Sequence, residues 1–121
     1  MDLKDFKTRP TEFEVQVLAY NKLKEYYPIV RGELKVKPAN NRGARFDLVV
    51  FDIEGKLLFT VEVKNSLVKT HAKTAYYEWV AGVPSILIAG IYNAENAVEI
   101  CKREYVSRVV SSEYLNNTLY Y

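Results

Sequence analysis

Asp47 and, farther along the chain, Glu62, Val63 and Lys64 put two acids and an ammonium where a single β-hairpin can gather them. Side chains alternate between faces along a strand, so Thr60, Glu62 and Lys64 share one side while Val61 and Val63 take the other. Two carboxylates that lean together can hold a divalent cation through oxygens at about 2.0–2.1 Å, the distance that Mg²⁺ demands. Such a cation with a lysine beside it suits phosphodiester hydrolysis. That reaction needs charge neutralised on the nonbridging oxygens, a nucleophile made from water and a stabilised leaving alkoxide. Lys64 feels opposing fields from the acids and the cation, so it acts either electrostatically or on the attacking water. A Glu-x-Lys on a strand is also commonly a plain same-face charge pair, and the surrounding elements have to decide between the two.

Residues 45–51 and 57–64 are rich in Val, Leu and Phe, and Asp52-Ile53-Glu54-Gly55 between them is a turn with glycine where a positive φ is cheap. Pairing Phe51 with Lys56 sets Asp47 opposite Thr60 and diagonal to Glu62, roughly 7–8 Å apart between backbones. A slip of one residue would send Asp47 to the other face. Asp47 opens its strand while Glu62 and Lys64 close theirs, so all three collect at the open end of the hairpin. The other positions are mostly apolar, both strand faces read as covered, and charges clustered at the end of a buried strand need a partner or a metal.

The elements before and after the hairpin follow from caps and periodicity. A helix is expected over residues 11–26, with Thr11 as N-cap, Glu14 completing a capping box and Pro10 just outside. Phe13, Val15, Val17, Ala19, Tyr20, Leu23, Tyr26 and Tyr27 form its apolar arc, and Glu12 and Gln16 fall inside that arc one turn apart. Either Glu12 merely complements the helix dipole, or both polar groups point at the charged end of the hairpin. Pro28 stops the helix, residues 29–36 read as a strand and 38–43 as a loop. A second helix over 67–81, with Ala72, Ala75, Tyr76, Trp79 and Val80 on one stripe, ends at Gly82 and Pro84. Ser85-Ile86-Leu87-Ile88-Ala89 is a short buried strand, parallel to its neighbour through a right-handed crossover. A third helix is expected from a cap at Asn93 to about residue 105, and the tail 106–121 is ambiguous between helix and irregular chain.

At 121 residues and 49% hydrophobic content, the chain makes one globular domain over 1–121 with enough length for a single sheet covered by helices. No apolar run reaches the about 18 residues of a membrane span, and the charged start Met1-Asp2-Leu3-Lys4 lacks a signal-peptide core, so a soluble, cytoplasmic protein with no membrane partner is expected. One Cys and one His exclude an internal disulfide and a standard structural zinc site, and a Ser-His-Asp arrangement would rest wholly on His71. A net charge of +2 is small but unevenly spread. Arg31, Lys35, Lys37, Arg42 and Arg45 surround Glu33, the sole acid over 31–46, and Lys64, Lys69, His71 and Lys73 occur over 63–77 with no acid at all. Positive segments flanking the acids can engage phosphates by counterion release.

An acid in the first helix, three strands with Asp at the start of the second and Glu-x-Lys on the third, then a helix and a strand: over residues 12–89 this order resembles the PD-(D/E)xK nuclease superfamily. Gly43-Ala44-Arg45-Phe46-Asp47-Leu48-Val49-Val50 through Glu62-Val63-Lys64-Asn65 is similar to the amino-terminal nuclease domains of restriction endonuclease subunits and to archaeal Holliday-junction resolvases. Phe46 stands where the family name expects Pro, a residue that is not a ligand. The resemblance implies an α/β fold, with a restriction endonuclease-like αβββαβ core whose central mixed sheet is flanked by helices, plus a C-terminal helix. It also implies that Asp47 and Glu62 bind Mg²⁺, with Mn²⁺ able to substitute, assisted by the backbone carbonyl of Val63. Lys64 would orient or activate water, and Glu12 would match the first-helix acid that supports a metal directly or through water.

Lys73 and Tyr77 occupy the place where many members carry a Gln or Lys and a Tyr near the scissile phosphate. With Gln16, Arg42 and Arg45 they are the expected substrate contacts. The expected function is a metal-dependent DNA endonuclease, working on two strands as a homodimer or as a subunit of a larger nuclease assembly. Two alternatives stand beside it: a non-catalytic nucleic-acid-binding or assembly module that kept the fold, and a metal-independent RNA endonuclease using His71 with a Tyr and a Lys.

Overall fold

The computed structural model describes residues 10–36, 43–66 and 71–119. Helix α1 (Glu12–Tyr26) is followed by strands β1 (Ile29–Val36), β2 (Ala44–Phe51) and β3 (Leu57–Lys64), helix α2 (His71–Ala81), strand β4 (Ser85–Ala89) and helices α3 (Gly90–Glu95) and α4 (Ala97–Leu119). The strands form one sheet in the order β1-β2-β3-β4. The first three are antiparallel neighbours, and β4 lies parallel to β3 as a strand reached through a helical crossover must. This is the mixed α/β arrangement expected from the order of elements. Among the described residues no helix is long and apolar enough to cross a membrane.

Helices cover both faces of the sheet. Val15, Ala19 and Leu23 of α1 form one fully buried row against Leu48, Val50, Phe59, Val61 and Val63, and Ala94, Ala97 and Cys101 complete that core from α3 and α4. On the other face α2 contributes Tyr77 to a smaller cluster with Ala44, Phe46 and Val49. The capping expected at the start of α1 is present, since Thr11 Oγ1 accepts from the Glu14 amide at 3.1 Å. The apolar arc of α1 is narrower than its composition suggests: Phe13, Val17 and Tyr26 are 71%, 40% and 55% exposed. A helix lying on a sheet buries the row that faces it, and residues on the flanks of that row stay in water.

The C-terminal region departs from expectation in a definite way. A helix begins at Gly90, whose φ of 83° lets the chain turn out of β4 at once. Asn93 is therefore not an N-cap. It lies inside α3 and its Nδ2 donates to the Ala89 carbonyl at 2.8 Å. The helical path breaks at Asn96 and resumes as α4, which continues to Leu119 rather than ending near residue 105.

Burial in the larger core has an electrostatic consequence. It pushes the Cys101 thiol up to about 12, with a smaller contribution from Glu104. The Tyr27 hydroxyl is likewise raised to about 12, first by burial and then by Cys101, Tyr26 and Tyr105. The fold thus holds both groups protonated. The stability they contribute is fully present below their ordinary values of 9.0 and 10.0 and is lost as pH rises toward 12. Urea midpoints followed by circular dichroism should be level up to about pH 8.5 and fall steadily above it, and Cys101→Ala should make that fall shallower. A midpoint unchanged to pH 11 would contradict this.

Candidate active site

The turn of the hairpin sets the register of everything beyond it. The Asp52 amide donates to the Lys56 carbonyl at 2.9 Å and the Gly55 amide to the Asp52 carbonyl at 3.0 Å, which closes a loop over Ile53, Glu54 and Gly55. Gly55 takes the left-handed position with φ 83°. Asp52 Oδ1 fixes the start of the loop by accepting from the amides of Glu54 and Lys56, both at 2.9 Å. Past the turn Phe51 pairs with Leu57 but Val50 pairs with Phe59, so Leu58 is an extra residue on β3.

The shorter loop and the bulge each move the pairing by one residue in the same direction. Thr60 therefore faces Val49, not Asp47, and Val61 faces Leu48. Carried one step further, that register brings Asp47 level with Glu62 rather than diagonal to it, and the expected Asp47–Thr60 pairing is corrected accordingly. Because the total shift is two residues, the parity of the pairing survives.

Just there the two strands part. β2 pairs with β1 at both of its ends, from Ala44 opposite Val36 to Phe51 opposite Ile29 with only Asp47 and Glu33 left out between, but with β3 only as far as Leu48 and Val61. The Thr60 amide donates to the Pro84 carbonyl at 2.9 Å. By alternation the backbone of Glu62 and Lys64 also turns to β4, while that of Val61 and Val63 turns to β2. In a continued ladder the Val63 amide would meet the Phe46 carbonyl. Instead, Asp47 Oδ2 accepts it at 2.7 Å. In an extended strand the carbonyl of a residue points to the same side as its amide, which directs the Val63 carbonyl toward the same opening. The acids beside it are buried, Asp47 at 6% and Glu62 at 3% exposure.

Cationic groups close around the acids. Lys64 Nζ lies 3.5 Å from Glu62 Oε1 and 3.7 Å from Glu12 Oε1, so the end of β3 and the first turn of α1 meet through this ammonium. On the other side the exposed Arg45 guanidinium is 3.7 Å from Asp47 Oδ1. Glu12 thus reaches Lys64, and among the described residues no group of three His, Cys, Asp or Glu side chains is arranged to hold a metal. Gln16, expected at the substrate, donates from Nε2 to the Asp47 carbonyl at 3.2 Å. Tyr77 is buried with its ring edge-on to Phe46 at 5.3 Å. The side chains of Lys73 and His71, and all of Arg42, lie outside the described residues.

The structure therefore brings Asp47, Glu62, Lys64, Glu12, Gln16 and Arg45 to one end of the sheet. Sequence reasoning missed two contacts there, the Val63 amide on Asp47 and the Gln16 amide on the Asp47 carbonyl. The only sequence signal for the second is a polar residue one turn after Glu12 on the sheet-facing side of a helix. No protein-family model, curated protein or solved structure matches the chain.

Proposed function

We propose that this chain is a metal-dependent DNA endonuclease that hydrolyses phosphodiester bonds with Mg²⁺, for which Mn²⁺ can substitute. One observation carries the reading: the buried Asp47 carboxylate sits in the opening between β2 and β3, on the amide that follows Glu62, with the Lys64 ammonium 3.5 Å from Glu62 Oε1. Burying acids costs free energy that a purely structural strand end has no need to incur.

The donor set fits a hard divalent cation. Asp47, Glu62 and the Val63 carbonyl offer oxygens alone, and Mg²⁺ takes a few protein oxygens while keeping several waters. The cation, when bound, neutralises phosphate charge and lowers the pKa of water. Asp47 holds its carboxylate oriented through the Val63 amide, so little reorganisation is needed at the moment of binding. Lys64 stands where it orients a water or offsets charge developing on the phosphate, and Glu12 keeps that ammonium at the end of the strand. Arg45, exposed at the lip, is free to exchange its long contact with Asp47 for a phosphate once the acid is neutralised. Duplex cutting would need two such sites, hence a homodimer or a larger assembly.

The test is a panel of duplex, single-stranded and four-way-junction DNA with an RNA control, incubated in Mg²⁺, Mn²⁺ or EDTA. Cleavage of DNA in either metal and none in EDTA is the expected result. Binding without cleavage of any substrate would point to a non-catalytic module. RNA cleavage that persists in EDTA and disappears in His71→Ala would select the metal-independent alternative.

A further inference from the structure

Asp47 is withdrawn from the ladders on both of its sides. Toward β3, pairing ends with Leu48 and Val61. Toward β1, the register passes from Gly32–Leu48 directly to Leu34–Phe46 and skips Glu33 and Asp47. Among the described residues Glu33 is the one non-glycine with positive φ, at 25°, a strained conformation that persists only where its surroundings enforce it. The packing changes phase at the same place. Leu48 and Val50 point into the α1 core, yet Ala44 and Phe46 pack with Val49 on the α2 side, which strict alternation along β2 would forbid.

Backbone hydrogen bonding gives this kink a consequence. The backbone of Leu48 turns to Val61, so that of Asp47 turns to β1, where a regular ladder would have the Glu33 amide donate to the Asp47 carbonyl. With that pair skipped, Gln16 Nε2 donates to the carbonyl at 3.2 Å from α1. Gly32 adjoins the contact, since a Cβ there would lie 4.0 Å from both the Asp47 oxygen and Gln16 Nε2. Asp47 is thus held at two points, its carbonyl by Gln16 and its carboxylate by the Val63 amide.

We propose that Gln16 is a positioning residue for Asp47: its amide replaces the missing strand partner at the kink and so aims the carboxylate into the opening beside Glu62. The catalytic purpose of this brace rests on the nuclease reading, but the brace itself does not. Gln16 then acts on the protein backbone, where the sequence pointed to a substrate contact.

Gln16→Met removes the donor at nearly constant volume, and three readouts on the full chain test its role. Without metal, hydrogen exchange at the Val63 amide, followed by NMR, should speed up about tenfold while Val61 is unchanged, the loss expected for one weakened hydrogen bond. Mn²⁺ affinity should fall about tenfold, as for other residues that orient a metal ligand. DNA binding in EDTA should stay at the wild-type level.

Unchanged Val63 exchange, or Mn²⁺ affinity unchanged despite a lower melting temperature, overturns the proposal, as does weakened DNA binding in EDTA with normal exchange. The wild type provides an arm that needs no variant: the Gln16 side-chain amide protons should exchange more slowly than those of the exposed Asn21, and equal rates would also overturn it. A wild type that binds no Mn²⁺ would overturn the nuclease reading and with it the part of Gln16 in catalysis. That failure is told apart because the exchange measurements are made without metal.

Discussion

Lys64→Ala should lower DNA cleavage by about 10²–10⁴-fold, the range for removing a positioned group that handles the reacting water, with DNA binding retained. The ammonium lies against Glu62 and Glu12 at the end of β3, and it is mostly buried, so it is poorly placed for a general phosphate contact. Removing it takes positive charge away from two acids, which should leave cation affinity unchanged or raise it. Loss of turnover together with intact cation binding would therefore separate Lys64 from the ligands. Lys64→Arg should not restore the rate, because a planar guanidinium cannot present its charge as a compact point. Single-turnover cleavage of a preferred substrate, with binding measured in Ca²⁺ or EDTA, gives both numbers. Equal cutting by wild type and Lys64→Ala would exclude this residue from the reaction.

Asp47→Asn should abolish cleavage to a similar extent by the opposite route, through lost cation affinity. The asparagine carbonyl oxygen can still accept the Val63 amide, so the fold and its melting temperature should be nearly preserved. Asp47→Ala removes that acceptor as well and leaves a buried amide unpaired, which should cost a further about 1–3 kcal/mol of stability. The pair of variants therefore divides one side chain into its structural and its cation-binding work. If Asp47→Ala proved as stable as Asp47→Asn, the Val63 bond would not hold the strand end together.

Much of this was legible because local signals agreed with the fold. Thr11 and Glu14 marked the start of α1, Gly55 the turn, and the apolar runs of β1, β3 and β4 carried their own boundaries. Register was not legible to the same degree. It depended on whether the loop closed at Asp52 and on whether β3 carried an extra Leu58, and neither choice changes the hydrophobic pattern by more than one position. Asn93 looked like a cap because Asn often is one, but Gly90 could enter the helix directly from the strand. That Gln16 faces the charged end is one of two readings its place on the helix allows, and its acceptor becomes available through the backbone of Glu33, which side-chain identity does not report. The site was thus readable as a set of residues and not as a set of contacts.

The most direct measurement is Mn²⁺ titration of the isotopically labelled protein, read as paramagnetic broadening of backbone amides. Broadening should begin at Asp47, Glu62, Val63 and Lys64, remain slight at the opposite end of the sheet around Gly55 and Gly82, and vanish at the same Mn²⁺ concentration in Asp47→Asn. Broadening centred elsewhere, or an identical response from wild type and Asp47→Asn, would contradict the claim that these two acids hold the cation.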